Sequence, residues 1–142
     1  MTNSTVKDIT PPEAWDILQS NQNAMLVDVR TTIEYQYVGH PLDAIHVPWK
    51  EAPDWGINTE FVKQVREAIA KRAGKTDGIE SLPVLMICRS GKRSKEAAEA
   101  LQKDGFYTVY NVDEGFEGDR DSKNHRNTIN GWRFHNLPWE QS

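Results

Sequence analysis

The chain holds one cysteine among its 142 residues. A lone cysteine rules out a disulfide within the chain and gives no sign of an oxidising compartment. It also rules out a resolving thiol, so any group loaded on that sulfur must leave to another molecule. An excess of basic residues is missing as well. The formal charge is −4, so no nucleic-acid partner is expected. No stretch approaches the ~20 apolar residues of a membrane-spanning helix. The opening residues, Met1 to Asp8, lack the apolar segment of a secretory signal. No membrane partner and a cytoplasmic location are therefore the expectations. The four histidines, at 40, 46, 125 and 135, show no metal-ligand spacing with the cysteine. Neither a metal nor another cofactor is expected.

The cysteine itself stands in an informative place. Val84-Leu85-Met86-Ile87 has the length and composition of a strand buried on both faces. It breaks at Cys88. The short basic loop Arg89-Ser90-Gly91-Lys92-Arg93-Ser94 follows, and then Lys95 to Asp104 reads as a helix, with Gly105 placed to stop it. The thiol thus sits at the carboxyl end of a central strand, just before a helix N-terminus, where open α/β sheets bind ligands. The loop favours an ionised sulfur in three ways. Arg89, Lys92 and Arg93 bring positive charge, Gly91 permits a positive φ so that the amides of 89–94 curl around the sulfur, and the helix adds its dipole. The plain alternative is a small buried hydrophobe at a strand end. An inert cysteine has no use for such a loop.

Further elements follow in order. Val6–Ile9 is an edge strand. Thr10-Pro11-Pro12-Glu13 opens a helix with a capping box, and that helix runs to about Asn21 with Ala14, Ile17 and Leu18 as its apolar face. Ala24–Asp28 is a buried strand that brings Asp28 and Arg30 to the same end of the sheet as Cys88. Ile45–Pro48 is a short strand. Trp49 and Trp55 lie on a proline-rich loop and either line a pocket or fold back on the body. A second helix runs from a cap at Asn58 or Thr59 to about Ala73, and Thr108–Val112 is the last strand. Strands alternating with helices across short links argue an α/β domain with a parallel sheet covered on both faces.

These residues resemble the rhodanese-domain sulfurtransferases. Cys88, Arg89, Gly91 and Arg93 match that family's Cys-Arg-x-Gly-x-Arg loop. Leu26-Val27-Asp28-Val29-Arg30 is similar to its strand ending in Asp-x-Arg. Glu34-Tyr35, Gly39-His40 and Ala44-Ile45-His46-Val47-Pro48 fit the elements that come next. The resemblance covers about residues 5 to 118. There are two departures: Pro41-Leu42-Asp43 after Gly39-His40, and Glu114 in place of a glycine beside the loop. Glu114 is expected to face solvent. His40 is expected to stabilise a turn, and Glu34 and Tyr35 to brace the loop.

The resemblance implies a three-layer α/β/α fold with a mostly parallel sheet of about five strands, as one domain over 1–142. The aromatic stretch within 118–142 should pack on that domain as an extension. The resemblance also implies a sulfurtransferase: Cys88 carries the sulfur as a persulfide, and Arg89, Ser90, Gly91, Lys92, Arg93 and Ser94 hold the anionic donor. Asp28 and Arg30 act as an ion-paired support. The implied partners are a small sulfur-containing anion such as thiosulfate and a thiol or cyanide acceptor. A second reading is a carrier that passes persulfide sulfur within a relay, with a partner protein. A third is a relative of phosphatases and arsenate reductases. Catalytic-cysteine phosphatases have five residues between Cys and Arg. Here the arginine comes one place early, at Arg93, and the shorter loop fits a single sulfur atom better than a phosphate.

Overall fold

A computed structural model describes residues 6–141. Residues 1–5 and 142, the ends of the expected 1–142 domain, lie outside the described part. Five strands form a parallel sheet in the order β1-β6-β5-β2-β4. They are β1 (Lys7–Ile9), β2 (Met25–Asp28), β4 (Ile45–His46), β5 (Val84–Ile87) and β6 (Val109–Val112). A separate pair, β3 (His40–Pro41) and β7 (Trp139–Glu140), is antiparallel.

The alternation of side chains along each strand divides the core. Met25, Val27, Val84, Met86 and Cys88 face helices α2 (Phe61–Ala73) and α3 (Lys92–Lys103). Leu26, Leu85, Ile87 and Val112 face helix α1 (Pro11–Ser20), Phe116 and Trp132. Both faces are covered, which gives three layers. Strand β5 is central, and its four residues are all buried.

The local signals act as expected at α1. The Thr10 side chain accepts from the Glu13 amide, and the Glu13 carboxylate accepts from the Thr10 amide. Two helix starts differ from the sequence reading. Helix α3 begins at Lys92 rather than Lys95, because Gly91 turns at φ 100° and nothing in Lys92-Arg93-Ser94 resists helical backbone. Helix α2 takes Glu60, not Asn58 or Thr59, as its N-cap residue. Asn58 still shapes the turn, accepting from the Glu60 amide on Oδ1 and from the Phe61 amide on its carbonyl.

The two loop tryptophans part company. Trp49 is buried, packs edge-on to Phe61 at 5.1 Å and donates to Glu96. Trp55 is exposed and lies 5.7 Å from the Arg93 guanidinium. The carboxyl-terminal stretch docks through Trp132, which is fully buried and meets Trp15 edge-on at 6.1 Å. Its indole donates to the Pro138 carbonyl. Phe134 and Trp139 keep substantial exposure.

Candidate active site

The site grows from register. Asp28 pairs with Ile87, so the ends of β2 and β5 lie side by side, and the Val29 amide donates to the Ile87 carbonyl. Cys88 is the next residue. Its side chain is 1 % exposed. The sulfur accepts from the Gly91 amide at 3.1 Å and from the Ser94 hydroxyl at 3.2 Å. The first turn of α3 therefore closes on the thiol, with Lys92, Arg93 and Ser94 as its opening residues.

Gly91 is required by its surroundings as well as by its φ. A Cβ there would collide with the Asp113 carbonyl oxygen. Gly115 has the same problem from the other side: its φ is 72°, and a Cβ would collide with the Arg89 backbone. The 113–118 segment thus lies directly against the loop. The Phe116 amide donates to the Cys88 carbonyl at 2.8 Å, and the Glu117 and Gly118 amides donate to the Arg89 carbonyl. This segment is held in turn by the carboxyl-terminal stretch, since the Trp132 amide donates to the Gly115 carbonyl at 2.8 Å.

Asp28 and Arg30 form a fully buried ion pair at 2.7 Å, with Arg30 also donating to the Gly39 carbonyl. The Arg30 guanidinium lies 4.5 Å from the Phe116 ring centre. Arg30 Nη1 has no hydrogen-bond partner among the described residues, so the ring face is part of what compensates its burial. The pair links β2 to the segment that backs the loop, and neither side chain is exposed to a substrate.

Arg93 departs from its expected place among the residues holding a donor. Its two terminal nitrogens donate to the two Glu34 carboxylate oxygens at 2.8 and 2.9 Å. That fork-to-fork pairing commits two of its N–H donors and its charge to Glu34. Burial raises the Glu34 carboxyl, but the Arg93 hydrogen bonds and charge and the Thr31 hydrogen bonds outweigh it and hold it at about 2. Ser94 is likewise internal, fully buried between Cys88 and Asn111. Arg89 and Lys92 remain exposed, with no ion pair or hydrogen bond from their side chains among the described residues.

Glu114 also corrects the reading from sequence. It does not face solvent. Its carboxylate accepts from the Gly131 amide at 2.9 Å and lies 2.8 Å from His135 Nε2. The carboxyl-terminal stretch supplies both partners, and their distance along the chain hid them. His40 meets the turn as expected: Nδ1 lies 2.9 Å from the Tyr35 carbonyl, and the ring stacks on Tyr35 at 3.8 Å.

Asn111 was missed from sequence. It lies in β6 opposite Met86 and is 3 % exposed. Its Nδ2 donates to Asp8 Oδ1 and to the Gly91 carbonyl, which leaves Oδ1 to accept from Ser94 at 2.5 Å. Ser94 has one proton and two acceptors in reach, Asn111 Oδ1 and the sulfur. The signal was a lone amide in the otherwise apolar end of a buried strand.

The rhodanese-like domain profile matches residues 10–121. The chain belongs to the rhodanese-like domain family. A Rickettsia rickettsii protein, the RP600 homolog, is 36% identical over 139 residues, covering 96% of this chain and 98% of the relative. Thiosulfate sulfurtransferase GlpE of Actinobacillus pleuropneumoniae serotype 3 is 32% identical over 114 residues, covering 80% of this chain and 86% of the relative. The crystal structure of Rv0390 from M. tuberculosis has a TM-score of 0.82 at 36% identity, covering 98% of this chain and 100% of that one. The rhodanese-like fold and the loop at Cys88 therefore stand together in one chain. Among the described residues, no helix is long and apolar enough to cross a membrane.

Proposed function

We propose that this rhodanese-like protein is a sulfurtransferase that moves a sulfane sulfur through Cys88. The observation that carries the reading is the cradle at Cys88: a sulfur that accepts from Gly91 N–H and has the Ser94 hydroxyl in reach, beside Arg89 and Lys92, which have no side-chain partner among the described residues. The similarity to thiosulfate sulfurtransferase GlpE supports thiosulfate as a donor.

In the first half of the cycle the Cys88 thiolate attacks the outer sulfur of thiosulfate. A new S–S bond forms to Cys88, the old S–S bond breaks, and sulfite leaves with the bonding electron pair. In the second half cyanide or a thiolate attacks the outer sulfur of the Cys88 persulfide. Thiocyanate or a new persulfide leaves, and the Cys88 thiolate returns. Charge is conserved in each step, and no redox partner is needed. Arg89 and Lys92 hold the donor and the departing sulfite. Gly91 N–H and Ser94 O–H stabilise negative charge on sulfur. Arg93 acts through Glu34 to hold the loop and does not touch the donor. With Cys88 nearly covered, only the terminal atom of a donor has to reach it. The site serves soluble small molecules, and the cytoplasm is the location proposed for it.

The test is the mass of the intact protein. Thiosulfate is expected to add one sulfur atom, and cyanide to remove it with release of thiocyanate. Cys88→Ser should show neither change. Equal turnover in Cys88→Ser, or a wild type whose mass never responds to any sulfane donor, would sink the proposal.

A further inference from the structure

Beside the catalytic loop lies a second basic feature that the transfer cycle does not use. The segment following Gly118 folds back against Ser90 and Lys92 and borders an open pocket of about 310 Å³. Arg120 and Arg126 line it together with Lys92. Two carboxylates, Asp119 and Asp121, line it too, but both are engaged in building the segment. Asp119 Oδ2 accepts from Asn130 Nδ2 at 3.0 Å. Asp121 Oδ1 accepts from the Lys123 and His125 amides, and its Oδ2 accepts from Thr128 Oγ1 at 2.7 Å.

The cations are not so engaged. Lys92 and Arg120 have no ion pair or hydrogen bond from their side chains among the described residues. Arg126 donates once, to the Gly118 carbonyl at 2.6 Å, and has no carboxylate salt bridge. Burial, with the like charges of Arg89 and Arg120, pulls its guanidinium below the ordinary value against the opposing carboxylates of Glu117 and Asp119. Three cations and two carboxylates line the pocket, a small excess of positive charge, and none of the three cations makes a salt bridge among the described residues. Such an arrangement costs stability and is repaid by an anionic ligand. The pocket offers more room than cyanide or the tail of thiosulfate requires.

We propose that this pocket is an anion subsite that seats the carboxylate of a small carboxylate-bearing thiol, the acceptor of the Cys88 sulfur. The proposal rests on the sulfur-transfer reading and names its acceptor class. Amino-acid and peptide thiols are ionised at their carboxyl groups at neutral pH and present that charge a few bonds from sulfur. With the carboxylate on Arg120 and Arg126, the acceptor thiolate attacks the outer sulfur of the Cys88 persulfide. The S–S bond to Cys88 breaks, its electron pair returns to Cys88, and the acceptor leaves as a persulfide. Lys92 belongs to both the loop and the pocket and joins the two subsites.

The test compares glutathione with dithiothreitol, a thiol without carboxylates, as acceptors from thiosulfate. In Arg120→Glu the ratio of KM for glutathione to KM for dithiothreitol is expected to rise about tenfold, because reversing a charge at a recognition site acts on the charged ligand selectively. An unchanged ratio would overturn the proposal. A second arm needs no turnover. S-methylglutathione, titrated into the wild type, should shift the amide resonances of Arg120, Asn124 and Arg126, and Arg120→Glu should lose that response. Silence at those amides overturns the subsite even where sulfur transfer proceeds. Shifts there in a wild type that takes up no sulfur would uphold the pocket and sink the transfer reading instead.

Discussion

The catalytic loop is held from two sides, and the two holds differ in kind. On one side, Glu34 grips Arg93 across 59 residues of sequence with a pair of charged hydrogen bonds, each side chain 16 % exposed. On the other, Asn111 joins Ser94, the Gly91 carbonyl and Asp8 through hydrogen bonds that are largely buried. The charged hold positions the outer part of the first α3 turn and depends on an ionisation state. The amide hold lies beneath the sulfur and depends on every donor meeting an acceptor. Coulomb attraction tolerates some solvent and some displacement, whereas a buried amide cannot lose a partner without leaving a polar group stranded. The residue nearest the chemistry is thus supported by the less forgiving hold.

Removing the amide hold should have the larger effect. Asn111→Leu keeps the branched shape but strands the Gly91 carbonyl, at about 1–3 kcal/mol for an unsatisfied buried group, and adds bulk to a closed site at a similar cost, while the Ser94 hydroxyl keeps the sulfur as its acceptor. A loss of about 2–4 kcal/mol in urea unfolding is expected, with sulfur loading slowed in the fraction that stays folded. Equal stability in this variant would show that the two sides are not different.

Breaking the charged hold should cost less. Glu34→Gln leaves Arg93 with a neutral partner, and about 1–3 kcal/mol is expected, between the exposed and the buried limits for ion pairs. Urea titration at neutral pH measures it. Asp28→Asn is not an equivalent test, because Asp28 is fully buried and also accepts from the Arg30 backbone amide.

The same pair predicts a pH dependence with a definite sign. Glu34 titrates at about 2 in the folded protein, against an ordinary value of 4.5. Below 4.5 the unfolded chain takes up the proton first, so stability supplied by Glu34 is complete above that value and is lost as the pH falls towards about 2. Wild type should therefore lose more stability than Glu34→Gln over this window, measured by urea titration at a series of acidic pH values. Parallel curves would remove Glu34 from the account.

The smallest effect belongs to the rim. Lys95 meets Asp8 at 3.1 Å with both side chains more than a third exposed. Lys95→Ala should change stability by no more than about 0.5 kcal/mol. A larger loss would mean that Asp8 depends on Lys95 to stay in place for Asn111, and would join the rim to the amide hold.

These comparisons also mark how far the sequence could be read. The strand before Cys88, the Thr10–Glu13 capping box and the glycine turn at 91 are local, and each follows from residues within a few positions of one another. The Asp28–Arg30 pair was legible for the same reason, being two residues apart. The Glu34–Arg93 pair is visible in the sequence only as two charged residues, and Arg93 reads there as an anion holder because its partner is far away along the chain. Glu114 reads as solvent-facing for the same reason, its partners His135 and the Gly131 amide lying on the carboxyl-terminal stretch.

By itself, the sequence determined that one thiol stands at the end of a buried strand, inside a glycine-bearing basic loop, in a chain with no second thiol. Backbone propensity, side-chain alternation and covalent order are short-range properties, and they were sufficient for that. Only the tertiary structure decided which of the loop's cations stay free. Arg93 was taken by Glu34, Ser94 was turned inward to Asn111, and Arg89 and Lys92 were left exposed beside Arg120 and Arg126. A charged side chain can pair with any opposite charge that folding brings within reach, and parallel-sheet topology brings together residues tens of positions apart.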